Sequence, residues 1–318
     1  MNRTRKWAIF GAILVVTGLI ICWISYALLG FDFRKLSTVE YTDNTYSVNG
    51  SFKDIKIDAD TEIITFLPSS DGKCTVECHE IKDAPHEVKN SNNTMIIAES
   101  QKKKSWNISF QAETPSITIY LPEKEYGKLK IDSDTGDVMI PIDFSFEEIE
   151  IDLDTGDVNC LASANGKIEI KTDTGDISLA DVSAENMDLK SHTGKIELSD
   201  IKLNNELEIK EDTGAVLMEN VTCKQFGSKG STGKLNMVNV FAEDKFDLER
   251  DTGSIEFKDC DGKDIKIKTS TGKVTGSLLT GKNFSVKSSA GKIDVPESSG
   301  TGTCEIKTDT GNITITIS

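Results

Sequence analysis

Histidine is nearly absent from this chain: His79, His86 and His192 are the only three. No G-x-S-x-G elbow occurs, and beyond residue 34 the sole arginine is Arg250. His192 takes a repeat position otherwise held by Asp or Ser, which marks a surface turn rather than a general base. Nothing here assembles a nucleophile or an acid–base pair, and the chain is expected not to be an enzyme. Basic charge is also short, with 36 Lys and Arg against 52 Asp and Glu and a net charge of −16. Nucleic acid needs a concentrated basic surface and is excluded as a partner. Hydrophobic residues are only 37% and aromatics 7%, low for an enzyme of 318 residues. The apolar residues are strictly periodic, which excludes disorder.

A disulfide framework is lacking too. Cys160, Cys260 and Cys304 replace Ile, Val or Leu of other repeats, and Cys223 replaces Ala or Leu. These read as small buried hydrophobes. Cys74 and Cys78 would share one face of a strand but lie too far apart to bridge. As a metal pair they lack a second pair of ligands at suitable spacing.

Charge is missing altogether from Trp7 to Leu29. That run is long enough to cross a ~30 Å hydrocarbon core as a helix. Arg3, Arg5 and Lys6 precede it, so the tail 1–6 is expected in the cytoplasm, 7–29 in the membrane, and the rest outside. A signal peptide cleaved at Ala27 competes with this reading, but the apolar run exceeds the usual ~7–15-residue signal core and favours an uncleaved anchor. Residues 30–51 read as a juxtamembrane linker. Residues 52–128 read as an irregular β cap, with Phe52–Phe66 a degenerate repeat carrying Glu62 at the turn, a polar excursion at Ala84–Asn93, and a short alternating segment at Trp106–Phe110.

What the chain has in abundance is a repeat. From 129 to 318, turn glycines recur at Gly136, Gly156, Gly175, Gly194, Gly214, Gly233, Gly253, Gly272, Gly291 and Gly311, always 19 or 20 residues apart. Numbered from each glycine, apolar residues fall at −7, −5, +2, +4 and +7, as in Ile168, Ile170, Ile177, Leu179 and Val182. Period two on both sides of a turn means strands. Thr precedes the glycine in nine of ten units, with Ala290 the exception, and the invariant glycine implies φ > 0. A lone hairpin cannot stand: five apolar side chains at ~2 kcal/mol each do not offset ordering a whole repeat at ~1–2 kcal/mol per residue. The units must stack, which gives an all-β fold, a parallel β-solenoid of about ten coils spaced ~4.8 Å apart.

In the first two coils Asp replaces the usual Lys at −4. Asp132, Asp134 and Asp137 then adjoin Asp152, Asp154 and Asp157, a candidate Ca²⁺ patch. No other cofactor is expected. The terminal Ile313–Ser318 should leave an open edge suited to end-to-end self-association.

The repeated [ILV]-x-[ILV]-K-x-D-T-G-D/K-[IV]-x-[LIV] units behind an N-terminal span resemble the bacterial adhesin-type β-strand-repeat family, a domain of unknown function found in LiaG-like membrane proteins. The resemblance implies a β-solenoid at the cell envelope and supplies no catalytic residues. Two functions follow as expectations. One is a membrane-anchored extracytoplasmic module that binds a cell-wall polymer, adheres or acts as scaffold. The other is an accessory regulatory subunit in envelope stress, acting on a membrane-protein partner through its span. A polysaccharide-active β-helix enzyme is the remote third.

Overall fold

In a computed structural model, residues 3–32, 37–100 and 113–318 are described. The Trp106–Phe110 segment lies outside them. The apolar stretch forms a helix, Arg3–Leu28, of which Ile9–Leu28 is long and apolar enough to cross a membrane. Trp7, Leu19 and Trp23 are all exposed along it, since none of the described residues packs there.

The repeat region is a parallel β-solenoid. Register is strict: Ile149 sits between Leu129 and Ile168, and Ile151 between Ile131 and Ile170. The −7, −5, +2 and +4 residues of the regular coils, such as Leu189, Ile196, Val216 and Leu248, are buried in one continuous core. The cysteines at Cys160, Cys223, Cys260 and Cys304 are free and buried, as read from the repeat.

The turn glycines stack on one another. A Cβ at Gly156 would lie 2.1 Å from the carbonyl oxygen of Gly136, and one at Gly214 would lie 1.8 Å from that of Gly194. The turn therefore needs glycine for close approach as well as for its φ of +146° and +157° at these two positions. Gly136 rests in the same way on the backbone of Glu62, so the degenerate first coil does occupy the next slot of the stack.

Position −3 shares the inward face, and small hydroxyls fill it. Thr172, Thr269 and Thr308 donate to the glycine carbonyls Gly156, Gly253 and Gly272 of neighbouring coils. In the middle of the array this row changes character. Glu211, Gly230 and Arg250 follow each other at −3, and the Arg250 and Glu211 side chains are fully buried 3.8 Å apart. A Cβ at Gly230 would lie 2.1 Å from an Arg250 nitrogen and 2.7 Å from a Glu211 oxygen, so the glycine makes room for the pair. Burial drives the Glu211 carboxyl up to about 7, against the pull of Arg250.

Three expectations are corrected. First, coil order and chain order part at both ends. The strand Gly302–Thr310 lies between Ile255–Thr271 and Lys282–Ala290, so the Gly311 coil is inserted between the Gly272 and Gly291 coils. Ile313–Ile317 pairs along its length with Val274–Leu278, and on its other side Ile313 and Thr314 pair with Ile293–Asp294, so the open edge shrinks to Ile315–Ile317. The outer strand is Lys282–Ala290, and Ser298 and Ser299 fold back to bond Phe284 and Lys282 at its start. The N-terminal end mirrors this: Asp54–Ala59 lies between Thr94–Glu99 and Glu125–Thr135.

Second, the linker 30–51 contains a strand, Tyr41–Val48, antiparallel to Cys74–Ile81. Alternation there is carried by Tyr and Thr, which a search for Ile and Val passes over. Third, the polar excursion at Ala84–Asn93 opens a hairpin, His86–Ser91 with Thr94–Glu99. Its turn residues Asn92 and Asn93 have φ of 49° and 65°, the geometry of a type I′ turn.

Candidate functional site

The six aspartates of the acidic patch form three rows. Asp132 and Asp152 are register partners on adjacent strands, and Asp132 lies 3.6 Å from the Lys130 ammonium. Asp134 and Asp154 are exposed at the turn tips. Asp137 and Asp157 already serve the backbone: Asp137 accepts the N–H of Asp157 at 2.9 Å, and Asp157 that of Asp176 at 2.8 Å. Asp176 does the same for Lys195 at 2.7 Å. The row thus ties each turn to the next. Among the described residues, the His, Cys, Asp and Glu side chains that bring three ligand atoms within 4.8 Å of one another are Cys78, Glu80 and His86, not these six.

Four lysines of the −4 row, Lys171, Lys190, Lys268 and Lys307, pair with carboxylates. Lys171 pairs with Glu169 at 2.6 Å, and Lys167 reaches the same carboxylate at 2.5 Å. These two hydrogen bonds hold Glu169 down at about 2. His192 bridges neighbouring turn aspartates, 2.8 Å from Asp173 and 3.8 Å from Asp212, and stays exposed as a surface residue.

A groove missed in the sequence runs along the second corner of the coils. It crosses four coils, with Asp181, Asp200, Asn220 and Asn239 in one row and Ser183, Lys202, Thr222 and Phe241 in the other. The first row sits at +6, and its φ values lie between 54° and 58°, the left-handed region that Asn and Asp tolerate best. Asn220 donates to Asp200 at 3.0 Å and Asn239 to Asn220 at 3.1 Å, a side-chain ladder that fixes the row. The signal was present as Asp or Asn recurring just before the buried +7 residue. Chemically the groove offers carboxylates, amides, hydroxyls and one ammonium at a ~4.8 Å repeat, with Phe241 at one end.

Stacked glycine turns and a continuous inward core define a parallel β-solenoid. The chain belongs to the Toastrack DUF4097 family, which it matches over residues 52–206 and 201–318. No curated protein matches it. A solved structure from Parabacteroides distasonis, provisionally described as a lipid-binding protein, is 16% identical with a TM-score of 0.50, and the match covers 76% of this chain and 95% of that one. It shares the fold. A Bacteroides fragilis protein provisionally described as an adhesin is 16% identical with a TM-score of 0.39, covering 87% of this chain and 97% of that one. A second Parabacteroides distasonis protein, given the same provisional description, is 11% identical with a TM-score of 0.46, covering 87% and 98%.

Proposed function

We propose that the chain is a membrane-anchored extracytoplasmic module whose solenoid binds a linear, polar cell-envelope polymer along the Asx-lined groove. The observation that carries this reading is the groove itself. Its first row is polar in four coils and its second in three, with Phe241 closing the fourth, which suits a ligand that also repeats. In this reading residues 7–29 are the anchor, 52–128 the cap and 129–318 the binding array, at the envelope as in LiaG-like proteins. End-to-end self-association would use the outer strand Lys282–Ala290 rather than the C-terminal strand.

The test is co-sedimentation of the full chain, in detergent, with isolated cell-wall polymer. Lys202→Ala with Asn220→Ala should weaken retention about tenfold, as expected for losing two hydrogen bonds of ~0.5–1.5 kcal/mol each. Unchanged retention removes the groove from the reading. Recovery of a membrane protein through the helix, with no polymer bound, would move the function to the regulatory alternative.

A further inference from the structure

Phe241 closes the Asx-lined groove, and it is also a wall of a second concavity of about 300 Å³ at the C-terminal seam. Four stretches of chain meet there: Phe241–Glu243, Asp261–Lys263, Lys282 and Thr301–Gly302. Gly302 is the register partner of Lys282, and the next residue, Thr303, pairs with Asp264 on the other side of the inserted strand. The concavity is therefore complete only once Gly302–Thr310 stands between Ile255–Thr271 and Lys282–Ala290. A Cβ at Gly302 would lie 2.1 Å from the Lys263 carbonyl oxygen and 3.3 Å from Lys282 Cδ, so this glycine lets the inserted strand seat against both.

The base of the concavity is a charged side chain held almost out of water. Lys282 is 5% exposed. Its ammonium donates to Asp261 Oδ1 at 2.7 Å and to Thr280 Oγ1 at 2.8 Å. Asp261 is engaged in turn: Oδ1 also accepts the Gly262 N–H at 2.8 Å, and Oδ2 accepts the Thr280 hydroxyl at 2.7 Å. A lysine carries three N–H donors. These two acceptors leave one donor for the concavity that Lys282 lines. An ammonium so far out of water gains from any acceptor that fills its last N–H.

Charge decides what kind of acceptor that is. Around the concavity Lys263 and Lys282 are matched by Glu243 and Asp261. In the groove Asp181 and Asp200 outnumber Lys202. Neither place concentrates positive charge, so a polyphosphate or polycarboxylate is not drawn in, and the groove aspartates repel it. The fitting ligand is neutral, rich in hydroxyl oxygens, and has an apolar face for the half-buried Phe241 ring. A sugar ring has all three: hydroxyls at its rim and C–H groups on its faces.

We propose that the seam concavity is the terminal sugar subsite of the groove, where one neutral pyranose ring stacks on Phe241 and a hydroxyl oxygen accepts the third Lys282 N–H. The proposal rests on the reading of the groove as a polymer site and narrows that polymer to an uncharged glycan. Because the subsite is built from both sides of the inserted strand, a bound glycan holds the end of the rod closed.

The full chain, in a detergent without a sugar headgroup, is titrated calorimetrically with two probes: a neutral β-1,4-linked hexasaccharide of N-acetylglucosamine and an oligogalacturonate of the same length. The neutral probe should bind at least about tenfold tighter. Phe241→Ala should weaken it about tenfold, and Phe241→Tyr, which keeps the ring, should retain it. Lys282→Met, which removes the donor, should weaken it about two- to tenfold. In the unmutated chain the neutral probe should slow amide hydrogen exchange in Lys282–Ala290 and Gly302–Thr310 and leave Lys167–Thr174 unchanged. Oligogalacturonate binding as tight as the neutral probe overturns the proposal. So does neutral binding that survives Phe241→Ala, or that leaves exchange at the seam unchanged, whether or not Lys282→Met folds. Cell-wall polymer that sediments with the chain while neither probe binds overturns the subsite and spares the groove. Probe binding that depends on Phe241, with polymer retention indifferent to Lys202→Ala/Asn220→Ala, supports the subsite and removes the groove.

Discussion

In the middle of the solenoid, neighbours in sequence are neighbours in space; at both ends they are not. From the Gly136 coil to the Gly272 coil each turn glycine stacks on the preceding one. Beyond Gly272 the next in the stack is Gly311, and Gly291 stacks outside it. The difference follows from what each coil offers. In the Gly311 coil Cys304, Ile306, Ile313 and Ile315 are all buried, and Thr308 supplies the −3 hydroxyl. The Gly291 coil has Ala290 before its glycine and leaves Ile293 45% exposed. The coil with the complete inward set is inside, and the irregular one is outermost. A repeat unit specifies the shape of a coil; completeness of its packing faces decides where the coil goes.

The same turn slot rejects a side chain in the interior and carries one, Glu62, at the end of the stack. Gly214→Val should therefore have the largest effect. Its Cβ would meet the Gly194 carbonyl at 1.8 Å, and φ is +157°. We expect loss of the cooperative melt, a cost above ~4 kcal/mol, read by circular dichroism. A native-like melt would show that the stack is slack in the middle as well.

Next comes the buried pair, an interior feature that neither end shares. Arg250→Ala leaves Glu211 buried without its cation and should cost ~3–5 kcal/mol in denaturant titration. A loss under 1 kcal/mol, the range of a surface pair, would mean that water reaches this row.

Glu211→Gln sharpens the point through pH. Burial raises the folded pKa of Glu211 to about 7, above the ordinary glutamate value of 4.5. Its contribution to stability is therefore full below ~4.5 and declines as pH rises toward 7. Relative to the unmutated chain, Glu211→Gln should gain stability between pH 5 and pH 8 in paired thermal melts. A difference that stays flat with pH would refute a raised pKa.

The smallest effect is a cross-link that reads coil order directly. Lys268 and Lys307 are register partners, whereas Lys287 pairs with Lys307 on its other side. Lys268→Cys/Lys307→Cys should form a disulfide on mild oxidation with little change in stability, since adjacent parallel strands bring Cα atoms to ~4.8 Å. Lys268→Cys/Lys287→Cys should not. The opposite pattern would restore chain order at this end.

Much of the architecture was legible because stacking imposes period and parity at once. The glycine stack and the −7, −5, +2 and +4 core follow from spacing alone. The −3 hydroxyls were legible in principle, since parity puts Thr172 on the face of Ile170 and Ile168. The +6 Asx row was equally regular, but it begins only at Asp181 and ends at Asp259. Coil order was not legible: it depends on contacts across a whole repeat, such as Ile267 with Ile306. The buried Glu62–Glu80–His86 cluster was hidden for the same reason. Its members come from a degenerate turn, a cap strand and a hairpin with no common period.

The inserted last coil has a consequence for biogenesis. Chains emerge N-terminus first, and regular coils can dock one by one as they appear. The Lys282–Ala290 strand cannot, because among the described residues its one strand partner is Gly302–Thr310, which is made later. Until then Ile255–Thr271 and Val274–Leu278 present an open template to any passing strand. Completion of this end is thus a single event that waits for Gly302–Thr310 to slide in and close a seam. A chain halted before Gly302–Thr310 is made would carry a sticky tip, whatever the number of coils already docked.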